Sequence, residues 1–109
     1  MRLQVSTEPE TGPVRVIHCA GELDVESAPG LQQAGEEAAF ESGVRRLILD
    51  VSGLTFADSS GLNCLIRLHQ MVPLVLSGPV PDQLLRLLQV TGADEIFPRA
   101  GNVDAARDM

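Results

Sequence analysis

Arg46-Leu47-Ile48-Leu49-Asp50-Val51, followed after a short polar stretch by Asp58-Ser59-Ser60-Gly61-Leu62, decides how the rest of the chain reads. The first segment is a continuous apolar run without polar alternation, as expected of a strand covered on both faces, and it is taken as the central strand. The second places an acid, two hydroxyls and a glycine before a strongly apolar helical run from Ser60 to Met71. Ser52 to Asp58 then reads as a loop, with Ser59 at or next to the first turn of a helix. A side-chain oxygen there can satisfy unpaired backbone N–H groups, and an added phosphate would face the positive end of the helix dipole. Within that helix Asn63, Arg67 and Gln70 form a thin polar stripe, while Leu62, Cys64, Leu65, Ile66 and Leu68 cover the rest.

Working outward, Leu3, Val5 and Thr7 alternate with polar neighbours, Glu8 to Pro13 reads as a turn, and Val14 to Ala20 as a second strand, so the chain opens with a hairpin. Gly21-Glu22-Leu23-Asp24 is expected to leave the sheet. Ser27 is a candidate N-cap of a helix, Pro29 suits its first turn, and the run from Leu31 to Glu41 follows. Its inward face of Leu31, Ala34, Gly35 and Ala38 is small enough to lie close against a sheet. Beyond Met71, Pro73 to Ser77 reads as a strand, Pro81 to Thr91 as an amphipathic helix stopped by Gly92, and Ile96-Phe97 as a short edge strand. Residues 102–109 form a short helix or a frayed tail. The order β-β-α-β-α-β-α predicts one α/β domain over residues 1–109, with a mixed, mostly parallel sheet of four to five strands packed against helices. In such sheets sites gather at the carboxyl ends of the strands, where both Gly21–Asp24 and Asp58–Leu62 fall.

Composition excludes several functions. The 109 residues carry a formal charge of -7, which disfavours nucleic acid or an anionic membrane as partner. The eight basic residues are all arginine, which reads as coding bias rather than as a binding property. Cys19 and Cys64 lie in separate apolar stretches and read as free buried thiols of a reducing cytoplasm; with His18 and His69 they lack metal-ligand spacing, so no metal is expected. No apolar leader or bilayer-length segment appears, so a cytoplasmic location is expected. Ser59 as a nucleophile would need a base, yet His18 lies in a strand and His69 nearly three turns down the helix. The Gly-x-Ser-x-Gly elbow and the phosphate-binding loop are both missing. No enzymatic activity and no cofactor are expected. Asp24 and Asp58, with the helix acids Glu36, Glu37 and Glu41, read as solvated carboxylates.

Gly21-Glu22-Leu23-Asp24, Leu47-Ile48-Leu49-Asp50-Val51 and Phe56-Ala57-Asp58-Ser59-Ser60-Gly61-Leu62 together resemble the STAS domain of bacterial anti-sigma factor antagonists. Leu84–Leu88, Thr91-Gly92 and Ile96-Phe97 follow in similar order and spacing, so the resemblance spans nearly the whole chain. It implies partner switching: the unphosphorylated antagonist binds an anti-sigma factor, often a serine kinase, and frees a sigma factor. The kinase then phosphorylates the first serine of the motif, here Ser59, and a metal-dependent phosphatase removes the phosphate. The partner-binding residues so implied are Glu22, Asp24, Asp58, Ser59, Ser60, Gly61, Leu62 and Asn63. The alternative is a scaffold within a larger regulatory complex, in which Ser59 only caps the helix. The sequence departs from the family between Met71 and Pro73, where the connection is short and lacks the usual glycine turn.

Overall fold

The run from Arg46 to Val51 lies at the centre of a five-stranded sheet whose strands stand side by side in chain order. The structure is a computed structural model describing residues 2–9 and 12–109; Glu10 and Thr11 of the expected turn lie outside the described residues. The strands are β1 (Gln4–Thr7), β2 (Val14–Leu23), β3 (Arg46–Ala57), β4 (Leu74–Ser77) and β5 (Arg99–Ala100), and the helices are α1 (Ala28–Phe40), α2 (Ser59–Met71), α3 (Asp82–Thr91) and α4 (Val103–Arg107). β1 pairs antiparallel with β2, and every other pair is parallel. The expected α/β architecture is therefore present.

Two helical layers of unequal size cover the sheet. Ile17, Leu47, Leu49, Leu74 and Leu76 point toward α1, α2 and α3 and join Leu31, Leu65, Leu68, Leu84 and Leu88 in the main core. Val16, Ile48 and Val75 point the other way and meet Ala106 of α4 in a small second cluster. Each buried leucine contributes about 1.5–3 kcal/mol by leaving water, so the large cluster dominates stability. The small residues of α1 admit a helix, not only the sheet: a Cβ on Gly35 would lie 2.5 Å from the Leu68 side chain of α2.

Several expected boundaries move. β2 does not end at Ala20; it pairs with β3 through Leu23, so Gly21-Glu22-Leu23 belongs to the sheet. Gly21 there has φ 108°, and a Cβ would come within 2.6 Å of the Arg2 carbonyl oxygen. β3 likewise continues through the expected loop to Ala57. Two register shifts against β2 interrupt its alternation, which is why Ser52, Gly53 and Thr55 looked like loop residues. α1 begins at Ala28, directly after Ser27, and carries Pro29 in its first turn as expected. The edge strand is Arg99–Ala100 rather than Ile96-Phe97. Phe97 is instead buried, edge-on to His69 with ring centroids 5.4 Å apart. α2 runs to Met71, and across the short connection His69 Nδ1 accepts the Leu74 N–H at 3.0 Å and fastens helix end to strand start.

Candidate functional site

β2 and β3 run side by side to their carboxyl ends, where Leu23 pairs with Ala57, so Asp24 and Asp58 leave the sheet as neighbours. The Asp58 N–H donates to the Leu23 carbonyl at 3.1 Å, tying the two sequence motifs together through the backbone. Asp58 then starts α2: its Oδ1 accepts the Gly61 N–H at 3.1 Å and its carbonyl accepts the Leu62 N–H at 3.0 Å. The cap is thus Asp58 and not Ser59, which corrects the sequence reading. An extended backbone at Asp58 (φ -111°, ψ -172°) turns the chain into the helix, and Ser59 is the first helical residue. Ser59 is exposed, and its hydroxyl has no hydrogen-bond partner among the described residues.

Gly61 makes this junction compact. A Cβ at that position would sit 2.6 Å from Leu23 Cγ and 3.0 Å from the Leu23 carbonyl oxygen. The group that approaches Gly61 closely is therefore Leu23 of β2. Gly61 and Leu62 are buried, so they shape the site and offer no side-chain surface to a partner.

Asp24 organises the neighbouring turn. Its Oδ1 accepts the backbone N–H groups of Ser27 and Glu26, both at 3.0 Å. The Ser27 hydroxyl accepts the Asp24 N–H at 2.9 Å and donates to the Glu22 carbonyl at 2.8 Å. Ser27 occupies the N-cap position of α1 but its backbone is already helical and its side chain closes the turn behind it, so it does not cap as expected. The hydrogen bond from the Ser27 backbone, with further donors from Ser27 and Glu26, holds the Asp24 carboxyl below its ordinary range. Asp24 is thus an anion at neutral pH, fixed beside Asp58.

Sequence reasoning missed Gln83. β4 ends at Ser77, leaving the far end of β3 without a strand on that side. The Gln83 side-chain amide of α3 fills the gap: its Oε1 accepts the Ala57 N–H at 2.8 Å and its Nε2 donates to the Ala57 carbonyl at 2.7 Å. Nothing in the sequence distinguishes this glutamine from other helix-surface polar residues. The exposed Val25 and Phe56 were also missed as surface. Their places, beside Asp24 and Ala57, signal an apolar rim around the acidic edge. Next to this edge, Ser60, Asn63, Cys64 and Arg67 of α2 face Ala28, Gln32 and Glu36 of α1 across an open groove of about 630 Å³.

The arrangement suits recognition. His18 bonds Glu8 and Asp50, and His69 accepts from Leu74, so neither histidine serves Ser59 as a base. The described residues contain no group of three or more His, Cys, Asp or Glu able to hold a metal ion, and no helix among them is long and apolar enough to cross a membrane. What converges on one edge is an exposed hydroxyl, two carboxylates and exposed apolar side chains.

The comparisons with known proteins follow the same outline. The family model for the STAS domain matches residues 6–106. An anti-sigma-B factor antagonist of Listeria monocytogenes is 32% identical over 86 residues, covering 74% of each protein. An anti-sigma F factor antagonist of Paenibacillus polymyxa is 26% identical over 102 residues, 90% of this chain and 86% of the relative. The crystal structure of an anti-sigma factor antagonist from Mycobacterium paratuberculosis superposes with a TM-score of 0.80 at 28% identity, over 97% of this chain and 92% of the other.

Proposed function

The chain belongs to the STAS domain family, and from that premise we propose that it is an anti-sigma factor antagonist whose binding is switched off by phosphorylation of Ser59. In this reading the edge formed by exposed Ser59 and Asn63 with half-buried Glu22, Asp24, Asp58 and Ser60, rimmed by Val25 and Phe56, docks on an anti-sigma factor. Gly61 and Leu62 hold that edge in shape. The partner is a serine kinase that supplies the ATP, a serine phosphatase reverses the modification, and the chain itself catalyses nothing. The observation that carries the reading is the division of labour at the start of α2: Asp58 caps the helix, leaving the Ser59 hydroxyl uncommitted and exposed.

Phosphate on Ser59 adds about -1.5 to -2 charges. At the first residue of α2 the helix dipole offsets this by a few tenths to about 1 kcal/mol, so the fold tolerates it. A docked partner does not. The added charge sits beside Asp58 and Asp24 and must lose water under the partner's surface. Burying an unpaired charge in an interface costs about 2–5 kcal/mol, and each 1.4 kcal/mol is about tenfold in affinity. Binding is thus switched by orders of magnitude without refolding.

The test is to incubate wild type and Ser59→Ala with the cognate anti-sigma kinase and ATP, and to measure intact mass. One phosphate on wild type and none on Ser59→Ala is expected. No phosphate on wild type, or equal gain by both, overturns the switch and leaves a scaffold in which Ser59 is not modified.

A further inference from the structure

Small residues bring α1 and α2 into contact. Gly35 lies against the Leu68 side chain, and Cys64 Sγ donates to the Ala28 carbonyl at 3.7 Å. Outward from this seam the side chains part, leaving the open groove of about 630 Å³ beside the Ser59 edge. Buried Ala28 and Cys64 line it, and Val25 and Phe40 flank it at opposite ends of α1, 68% and 77% exposed. From Ala28 to Phe40 the helix spans about 18 Å, at about 1.5 Å per residue. That length matches a partner helix of about three turns laid along the groove.

The α1 wall of the groove is acidic. α1 contains no lysine or arginine, and both Glu36 and Glu37 line the groove. Each carboxylate is held by a glutamine one turn earlier: Gln32 Nε2 donates to Glu36 Oε1 at 3.0 Å, and Gln33 Nε2 to Glu37 Oε1 at 3.2 Å. Arg67 stands on the α2 wall, and among the described residues no ion pair joins it to either acid. Gln32 keeps its Oε1 buried without a donor among the described residues, an uncommon state for a buried polar atom. The wall thus offers fixed negative charge and a spare acceptor.

We propose that this groove docks a basic amphipathic helix of a partner protein. The apolar stripe of that helix lies on Ala28 and Cys64 between Val25 and Phe40, and its lysines or arginines meet Glu36 and Glu37. Long basic side chains suit such a wall, because their stems cover apolar surface while their heads reach carboxylates. Other occupants fit less well. The same acids repel nucleic acid and an anionic membrane, and an isologous dimer across the groove brings two acidic walls together. The site goes beyond the Ser59 switch: Ser59 does not line the groove, and a phosphate there adds charge of the sign that attracts a cation.

NMR titration of the full chain with a synthetic leucine–lysine amphipathic peptide of about 16 residues, long enough to form a helix, tests the groove. A leucine–glutamate peptide of the same pattern is the control. Amide shifts should concentrate in 25–40 and 60–67, and the control should not bind. Glu36→Gln combined with Glu37→Gln should raise Kd severalfold, and so should Phe40→Ala; Glu37 and Phe40 are exposed and Glu36 half-buried, so the fold persists. Asp104→Asn, at an exposed acid on the far side of the sheet, should leave Kd unchanged, and Ser59→Asp should bind at least as tightly as wild type. Absence of binding, equal binding of the control, or shifts centred outside the groove would each overturn the proposal. So would a Kd indifferent to the Glu36 and Glu37 pair or to Phe40→Ala, an equal effect of Asp104→Asn, or loss of binding in Ser59→Asp.

Discussion

Gly61→Ala and Gly30→Ala are the same change at the same helical position, the third residue of α2 and of α1, yet the structure gives them opposite signs. In a helix, alanine is favoured over glycine by up to about 1 kcal/mol. At Gly30 nothing lies within 4 Å of the new Cβ, so the substitution should stabilise by about 0.4–1 kcal/mol. At Gly61 the Cβ meets Leu23 Cγ at 2.6 Å, Leu23 Cδ2 at 2.9 Å and the Leu23 carbonyl oxygen at 3.0 Å. The side chain could rotate, but it is fully buried, and the carbonyl is held by the Asp58 N–H. Overpacking of this kind costs about 1–3 kcal/mol, and loss of the Asp58–Leu23 hydrogen bond adds about 0.5–1.5 kcal/mol. Net of a helical gain of about 1 kcal/mol, Gly61→Ala should destabilise by about 0.5–3.5 kcal/mol. Urea unfolding of the two variants beside wild type, with slopes compared so that midpoints report stability, measures the pair. Gly61→Ala as stable as wild type would refute the claim that Leu23 and α2 are locked together.

Other outcomes follow from the same junction and from the core. Asp58→Ala should cost about 1 kcal/mol in urea unfolding through the lost cap, with Asp58→Asn recovering most of it because asparagine also accepts the Gly61 N–H. Gln83→Ala leaves two backbone groups of Ala57 to water; thermal unfolding should show a loss of about 1 kcal/mol, and exchange at the Ala57 amide should speed up. Burial raises the Cys19 pKa to about 12 and the Cys64 pKa to about 11. Both thiols should therefore resist alkylation at pH 8 in the folded protein and react fully in denaturant. Stability should fall as pH climbs above 9, where the unfolded thiols ionise and the folded ones do not.

The parts of the fold legible in the sequence are those with unbroken patterns. The run from Leu47 to Val51 was readable because both of its faces are buried, and α2 and α3 because apolar residues recur at helical spacing. The second half of β3 was not, because its register shifts expose residues in pairs and defeat a period of two. β5 is two residues long and carries no period at all. At the site, the meeting of Asp24 and Asp58 was legible from their common place at strand ends. The roles within the site were not: whether Asp58 or Ser59 caps α2 depends on a dihedral angle, and both residue types suit an N-cap. Gln83 acts across 26 positions of sequence, which no local pattern records.

The claim that Ser59 switches binding through charge, not through the fold, is tested most directly by titrating the cognate anti-sigma factor with wild type and with Ser59-phosphorylated protein. Thermal unfolding of both forms runs alongside. The account predicts a loss of affinity of about thirtyfold or more, from the 2–5 kcal/mol cost of an unpaired interfacial charge, with folding stabilities within about 1 kcal/mol of each other. Equal affinities, or a lost affinity matched by an equal loss of folding stability, would contradict it.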